Sequence, residues 1–572
     1  MAHTRRDFLK GTAGIAGAAA MTAACVPLAG ASDINDPECA WAGEEPQIDE
    51  AQITETIECE ALVIGEGTSG LFAGAFLADM GVKPLVIDKL PAPSGGIKGD
   101  LGAFNSRFNE EHDDMMDPAS VFHQLVNYSA GRADTRLIKL WMEQSGACIE
   151  AVDDLLKKYN LGYVYHDGGY KQLNGVDVDP TISYPKNPTG HHIEITDEKI
   201  LEEGGYSASS PAMKRIITEN GGELREGLAL VKLEHEGRKV TGIIAQDWDT
   251  EAYVRINAEK GVIVATGGYQ GDTDLVAKLQ PETFAYMSAK DVASGSTGDG
   301  QRACLWLGAA VDEVHTSMFF DRRAVMPGEY PPFNIESDYK SVNLGSHPFL
   351  KLNCYGDRFT NESQPYDYML HTITNYPERV FVEIIDSDFA QNMLNFECVG
   401  CCRYHVYPSA CDDYAAQKGE IIEALQERVG KQLEQLVEQG YAQKADTIEE
   451  LAEKIGLPVD HVVAAVERNN ELTAAGYDED FYKEPYRLSY VQTPPFYAIR
   501  MCGRMLCTMD GVRTDTQMRV VDKQGEPFEN LYCAGDCSGG LLTHTYPNLF
   551  TGLAAGRSMT WGWIAAKQIA QA

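Results

Sequence analysis

Three glycines, Gly65, Gly67 and Gly70, stand in the spacing G-x-G-x-x-G directly after the apolar run Ala61–Ile64. Asp88 follows 23 residues beyond Gly65, closing a second apolar run at 85–87. Such spacing is weak by itself. After a strand, before a helical stretch and with an acid at that distance, it is the pattern of a dinucleotide site. The glycines let backbone approach a pyrophosphate at a helix N-terminus, and the carboxylate can accept hydrogen bonds from a ribose. Near the other end, "THTYPNLFTGLAAGRS" sets Tyr546, Pro547 and Phe550 directly before a Gly/Ala-rich helix start. A helix start of that kind usually greets something flat or anionic. A bulky, partly polar gate beside it raises the question of what it faces.

Thiols are the other reactive groups. Of 14 cysteines most are scattered singly in apolar contexts, where buried free thiols are the default. Cys398, Cys401, Cys402 and Cys411 cluster in "ECVGCCRYHVYPSAC". The preferred reading is an incidental thiol group or a disulfide; an iron–sulfur or zinc ligand set is the alternative.

These groups need elements to hold them. A strand over 61–64, a helix over 71–80 ending at Gly81 and a strand over 85–87 make a βαβ unit. A helical region spans roughly 117–160, and "LALVKLEHEGRKVTGIIAQ" with "AYVRINAEKGVIVATGGYQGD" predicts hairpin strands ending at a ligand-like turn, Gly267–Gly268. A further helix starts after Gly298–Gly300. Residues 316–495 change character, with Pro/Tyr-rich loops and then a charged helical block, which predicts a second domain inserted into the first. Strand and glycine signals return from "TPPFYAIRM" onward.

At 572 residues the chain is too long for one compact core, and its net charge of −37 disfavours nucleic acid and anionic membranes as partners. "TRRDFLK" followed by an Ala/Gly run looks like a twin-arginine export signal, with cleavage expected after Ala31. The expected location is the periplasm or cell surface. A lipid anchor at Cys25 is the weaker option, because Thr22 matches a lipoprotein site poorly. Residues 32–56 are acidic and punctuated by proline and glycine, a linker by composition.

The ordered set "VIGEGTSG", "VATGGY", "STGDG", "YGDRFTNE", "TMDGVRTD" and "YCAGDCSGG" closely resembles the flavoprotein family of fumarate reductase, succinate dehydrogenase, urocanate reductase and 3-ketosteroid dehydrogenase, over about residues 57–572. The resemblance implies an α/β fold: a Rossmann-like FAD-binding domain in two segments, 57–315 and 497–572, with an inserted α+β capping domain at 316–496. It implies non-covalent FAD, held by Gly65, Gly67, Ser69, Gly70 and Asp88, then by Gly95, Gly96, Lys98 and Gly102. Val231, Thr266, Gly267, Asp299 and Asp536 complete that set, with Gly552 and Leu553 opening the helix aimed at the flavin ring. In the family the place of Ile97-Lys98 is usually Asn-Thr/Ser. Arg358 is the implied proton donor, opposite hydride delivered from flavin N5; a structural arginine paired with Glu362 or Asp357 is the other reading.

Departures from the family narrow the substrate. Phe320 stands where fumarate reductases carry a His-Pro, Cys507 replaces the histidine before "TMDG", and "TYPNLF" replaces an arginine. Three carboxylate-binding positions are lost, and a buried carboxylate without such partners is costly. The "TYP" piece resembles the ketosteroid dehydrogenases instead, where a tyrosine polarises a ketone, although Asn548 and Phe550 stand where that motif has glycines. Tyr546 is then the second catalytic candidate, and Phe320, Cys507, Arg504 and Phe550 are expected around the substrate; Arg504 and Arg322 could supply charge to an anionic one. The expected function is an exported FAD-dependent reductase of a C=C bond conjugated to a carbonyl (enone, aryl acrylate or polycyclic compound; not fumarate), fed by a separate membrane or exported electron donor, a cytochrome or flavoprotein. The alternatives are a ketosteroid-type dehydrogenase and a flavin electron carrier with no substrate of its own.

Overall fold

The computed structural model describes residues 40–90, 96–97, 99–166, 172–173, 176–177, 184, 186–204, 207–290, 295–332, 340–396 and 414–572. The first strand, Ile53–Ile64, lies in the middle of an eight-stranded sheet. It pairs in parallel with Pro84–Asp88 on one side and Tyr253–Val264 on the other. Glu223–Glu226 and Pro527–Cys533 extend the parallel run outward, and the antiparallel strands Leu228–Glu236, Lys239–Asp247 and Arg519–Val521 complete the sheet. Its middle strands are continuous apolar runs because both faces are covered. Ala61, Val63 and Val86 share a core with helices Thr68–Asp79 and Leu553–Gln571, while Leu62, Ile64, Leu85 and Ile87 share one with helix Asp299–Trp306 and the hairpin strands.

Backbone contact fixes how the helices sit. A Cβ on Gly70 would lie 1.8 Å from the Gly65 carbonyl oxygen, and one on Gly556 would lie 1.8 Å from that of Gly102. Neither obstacle is a side chain that could swing aside, so the Gly-rich turn closes on its helix and the last helix rests directly on the 101–102 backbone.

A second sheet of seven strands is organised around the long strand Phe496–Thr508, which pairs with Ser317–Ala324, Phe381–Ile385, Ala442–Ala445 and Met287–Lys290. The sheet therefore reaches beyond the expected insert, 316–496, in both directions. One strand can leave a domain without any turn signal at its boundary, and this one does. The charged block forms helices Tyr414–Glu438 and Ile448–Ile455, followed by Val459–Ala475. The tail of the expected linker belongs to the folded body, and the first strand starts already at Ile53. The buried ring of Trp41 lies 6.4 Å from that of Tyr269, the Trp306 indole N–H donates to Gly43 O, and Glu50 pairs with Arg255. Acidic composition predicted a free segment, but its carboxylates have cationic partners across the sheet. Among the described residues no helix is long and apolar enough to cross a membrane.

Replacing Gly556 with alanine should cost about 3 kcal/mol or more of unfolding free energy and weaken cofactor retention. Denaturant unfolding followed by flavin release checks it; a midpoint equal to the parent's would show that the helix can slide off Gly102.

Candidate functional site

At the carboxyl ends of the parallel strands lies a cavity of about 550 Å³. This is where open α/β sheets bind their ligands. Gly65, Gly67 and Ser69 line it from the first turn, Asp88 from the end of the second strand, and Gly96 from the loop that follows. Thr266 and Gly267 reach it from the end of strand Tyr253–Val264, and Asp299 and Asp536 from two further turns. The sequence motifs thus converge on one space.

Other expected cofactor residues stand behind it. Gly70 supports Gly65, and the Gly102 N–H donates to Gly552 O at 2.8 Å, directly beneath the start of the last helix. The cavity meets that helix at Ala554, Ala555 and Ser558 rather than at Gly552 and Leu553. Leu228 and Leu230 line the cavity in place of Val231, since successive residues of a strand face opposite ways. Gly95 and Lys98 lie outside the described residues, as do Cys398, Cys401, Cys402 and Cys411. Among the described residues no group of three or more His, Cys, Asp or Glu is placed to hold a metal ion.

Ionic groups, buried at Glu66 and half-buried at Asp88, Lys89, Asp299 and Asp536, line the cavity. Asp88 accepts hydrogen bonds from the Glu66 and Leu90 N–H groups, both at 2.9 Å, which locks the Gly-rich turn to the second strand. Lys89 donates to Asp299 at 2.6 Å and to Thr297 at 2.7 Å. Burial raises the Glu66 carboxyl, and its ion pair with Lys214 works against that rise. Asp536 is likewise raised by burial, while Arg557 donates to it at 2.5 Å. Glu66, Lys89 and Gln270 were not singled out from the sequence; an acid inside G-x-G and a lysine directly after the ribose acid were the available signals.

The space suits a dinucleotide. A Cβ on Gly67, at the N-cap of the first helix, would meet nothing within 4 Å, which leaves room for a pyrophosphate at the helix start. Gln270 is 6% exposed and lines the cavity, and its Oε1 has no hydrogen-bond partner among the described residues, as expected of a group that reads a ligand.

Beside the last helix the chain builds an aromatic wall. The Tyr546 hydroxyl accepts the Ala554 N–H at 3.1 Å. Its ring lies parallel to that of Tyr366, with 6.5 Å between centroids and 7° between planes, and Phe320 meets Tyr366 edge-on at 5.0 Å. All three rings are buried. Antiparallel pairing sets Met318 opposite Cys507, both on the cavity, and Phe320 opposite Arg504. Burial raises the Cys507 thiol, which keeps it protonated. Arg504 donates to Ser341 at 2.8 Å, and Arg322 donates to Ser346 at 2.8 Å. Phe550 is fully buried and its backbone bridges to Asn187. Asp367, next to Tyr366, accepts the backbone N–H of Tyr546 at 2.5 Å and of Phe319 at 3.3 Å. Burial pushes its carboxyl up to about 8 despite those donors.

Arg358 stands apart from the cavity. Its guanidinium donates to Glu362 at 2.7 and 2.9 Å and to Asp478 at 3.0 and 2.6 Å. Burial alone would lower its pKa, but the two carboxylates outweigh that and raise it further. A guanidinium held by two carboxylates and absent from the cavity wall fits the other reading, a structural arginine paired with Glu362, better than the proton donor expected from the motif. Asp357 pairs instead with His461.

Comparison with known proteins agrees with the geometry. The family model described as "FAD binding domain" matches residues 60–549. The vinyl phenol reductase of Lactiplantibacillus plantarum is 26% identical over 520 residues, 90% of this chain and 96% of that protein. The 3-oxosteroid 1-dehydrogenase of Mycobacterium tuberculosis is 30% identical over 346 residues, 55% of this chain and 53% of that protein. Among solved structures, 3-ketosteroid delta1-dehydrogenase from Sterolibacterium denitrificans superposes with a TM-score of 0.63 at 19% identity, over 90% of this chain and 99% of that one. A flavocytochrome c3 fumarate reductase gives a TM-score of 0.59 at 20% identity, over 92% and 81%. At these identities the two structures share the fold.

Two outcomes follow from the charges. Arg358→Met should leave Asp478 buried without its cation and Glu362 with only Lys483, and cost about 3–5 kcal/mol, with FAD absorbance at low temperature intact. Thermal unfolding read beside the flavin spectrum checks it. Asp367 ionises near its ordinary carboxylate range when unfolded but only at about 8 when folded. Its contribution to stability therefore declines as pH rises from the unfolded value to about 8. Asp367→Asn should flatten stability between pH 5 and 8, as measured by urea titration.

Proposed function

The chain belongs to the FAD binding domain family, and from that premise we propose that this FAD-dependent oxidoreductase reduces a C=C bond conjugated to a carbonyl. The observation that carries the reading is the Tyr546 hydroxyl, held by the Ala554 N–H where the last helix meets the cavity. The TRRDFLK leader supports export, and the chain's electrons then come from a separate donor, a cytochrome or flavoprotein of the membrane or the exported space.

FAD, which the Gly65–Gly70 turn, Asp88, Thr266–Gly267 and Asp536 would hold, would supply a hydride to one carbon of the double bond, and the other carbon would take its proton from solvent. The protein supplies the rest. Tyr546 accepts a hydrogen bond from the helix start, and its O–H is the group that would donate to the conjugated oxygen of the substrate. The helix N-terminus stabilises negative charge that builds on that pair of oxygens, which draws electrons from the double bond. Tyr366 and Phe320 offer flat, dry faces to a planar substrate. A dicarboxylate finds little support there: Arg358 is bound to its own carboxylates, Arg322 and Arg504 each donate to a serine, and an aromatic residue and a thiol stand at two of the lost carboxylate-binding positions. The resemblance to 3-oxosteroid dehydrogenases supports a second reading, the same tyrosine polarising a ketone during desaturation.

Tyr546→Phe should keep FAD and lower kcat for alkene-dependent oxidation of reduced viologen by about 100-fold or more. Unchanged turnover would remove Tyr546 from the chemistry. Rapid flavin reduction by saturated ketones, with no oxidation by alkenes, would favour the dehydrogenase.

A further inference from the structure

The matched family domain begins at residue 60, and residues 40–43 pack against it from outside that range. Trp41 and Ala42, in a short 3-10 turn, are buried. The Trp41 ring lies 6.4 Å from that of Tyr269, and the guanidinium carbon of Arg302 lies 5.9 Å from the centre of the same ring. The Trp306 indole N–H donates to Gly43 O at 3.0 Å, and Glu45 pairs with Lys232 at 2.8 Å.

Behind Trp41 stand the two loops that form one side of the cofactor cavity. Gly267 and Gln270 line it from one loop, and Gly295, Ser296 and Asp299 line it from the other. The loops are tied together, because the Gly271 N–H donates to Ser296 O at 2.6 Å and the Gly298 N–H to Gly268 O at 3.1 Å. Tyr269 belongs to the first loop; its N–H donates to Thr508 Oγ1 at 3.2 Å and its hydroxyl to Asp510 at 3.0 Å. Arg302 spans both loops, donating to Asp272 at 2.9 Å and to the Thr297 carbonyl. Trp41 thus touches one residue of the first loop and the arginine that joins the two, while it does not itself line the cavity.

We propose that residues 40–43 brace the cofactor cavity and that Trp41 is a positioning residue for FAD, acting through Tyr269 and Arg302. Ordering one loop residue costs about 1–2 kcal/mol of backbone entropy. A ring packed behind both loops holds them in place before the cofactor arrives, so less of that cost falls on binding. Attraction between the guanidinium and the indole face keeps the Arg302 fork directed at both loops. The role concerns the cofactor alone and is independent of which substrate reacts.

The test reads cofactor affinity. Holoenzyme is diluted in steps, and released FAD is followed by its fluorescence at a temperature where circular dichroism shows each variant folded. Trp41→Ala should raise the FAD dissociation constant about 10-fold or more. Trp41→Phe, which keeps a ring against Tyr269 and Arg302, should stay within about 3-fold of the parent. Val466→Ala, in the separate core of the insert, should lower the melting point and leave FAD affinity at the parent's value. Should the alanine variant not fold, Trp306→Phe takes its place: it keeps a ring, loses the bond to Gly43, and should weaken FAD about 3-fold or more. Parent-like affinity in Trp41→Ala, equal weakening in Trp41→Phe, equal weakening in Val466→Ala, or parent-like affinity in Trp306→Phe when the alanine variant is unfolded would each overturn the assignment.

Discussion

Everything at the site depends on two backbones touching without a side chain between them. The last helix meets Gly102 at Gly556, where any Cβ would overlap the carbonyl, and meets the first helix at Gly562, whose Cβ would lie 2.5 Å from Ser69 O. This contact brings the starts of two helices to one cavity. One start faces the Gly-rich turn and suits a pyrophosphate; the other brings Ala554 and Ala555 to the cavity wall. Aligned peptide dipoles then favour negative charge at both places, a property of the packing rather than of any charged residue.

The inserted domain is held to this core through the tyrosine turn. Asp367 sits on the insert and accepts N–H groups from Phe319, in its own sheet, and from Tyr546, in the core. Tyr366 then lies parallel to Tyr546 because the neighbouring residue is anchored. A buried carboxylate that binds two backbone donors forms a directional joint, which apolar packing alone would not give. Within the insert, Arg358, Glu362, Asp478 and Lys483 form a second buried ionic group. Asp478 shows its strength: burial opposes ionisation, yet the bonds from Arg358 hold its carboxyl down to about 2.

That ionic group explains why the motif reads two ways. In "GDRFTNE" an arginine and a glutamate stand four residues apart, a spacing equally suited to catalysis and to an internal ion pair. What separates the two is Asp478, 120 residues away, which completes the pairing. Val231 misled for a smaller reason: the strand was expected, but not which of its faces turns toward the cavity. The insert's boundaries were illegible because strand Phe496–Thr508 passes between the two bodies without a break in composition.

Local order was legible in the sequence. The parallel strands showed as apolar runs, the Gly-rich turn as glycines at fixed spacing, the acid at the end of the second strand as Asp88, and the turn before the last helix as an aromatic stretch. Those features depend on neighbours a few residues apart, or on motifs whose spacing is set by one βαβ unit. Tertiary structure decided what depends on distant partners. It joined Tyr366 to Tyr546, bound Arg358 to Asp478 rather than to a substrate, and moved the cavity wall from Gly552 to Ala554. Burial and partnership across hundreds of residues have no signature in a local stretch of sequence, and they determine which polar groups are structural and which remain for a ligand.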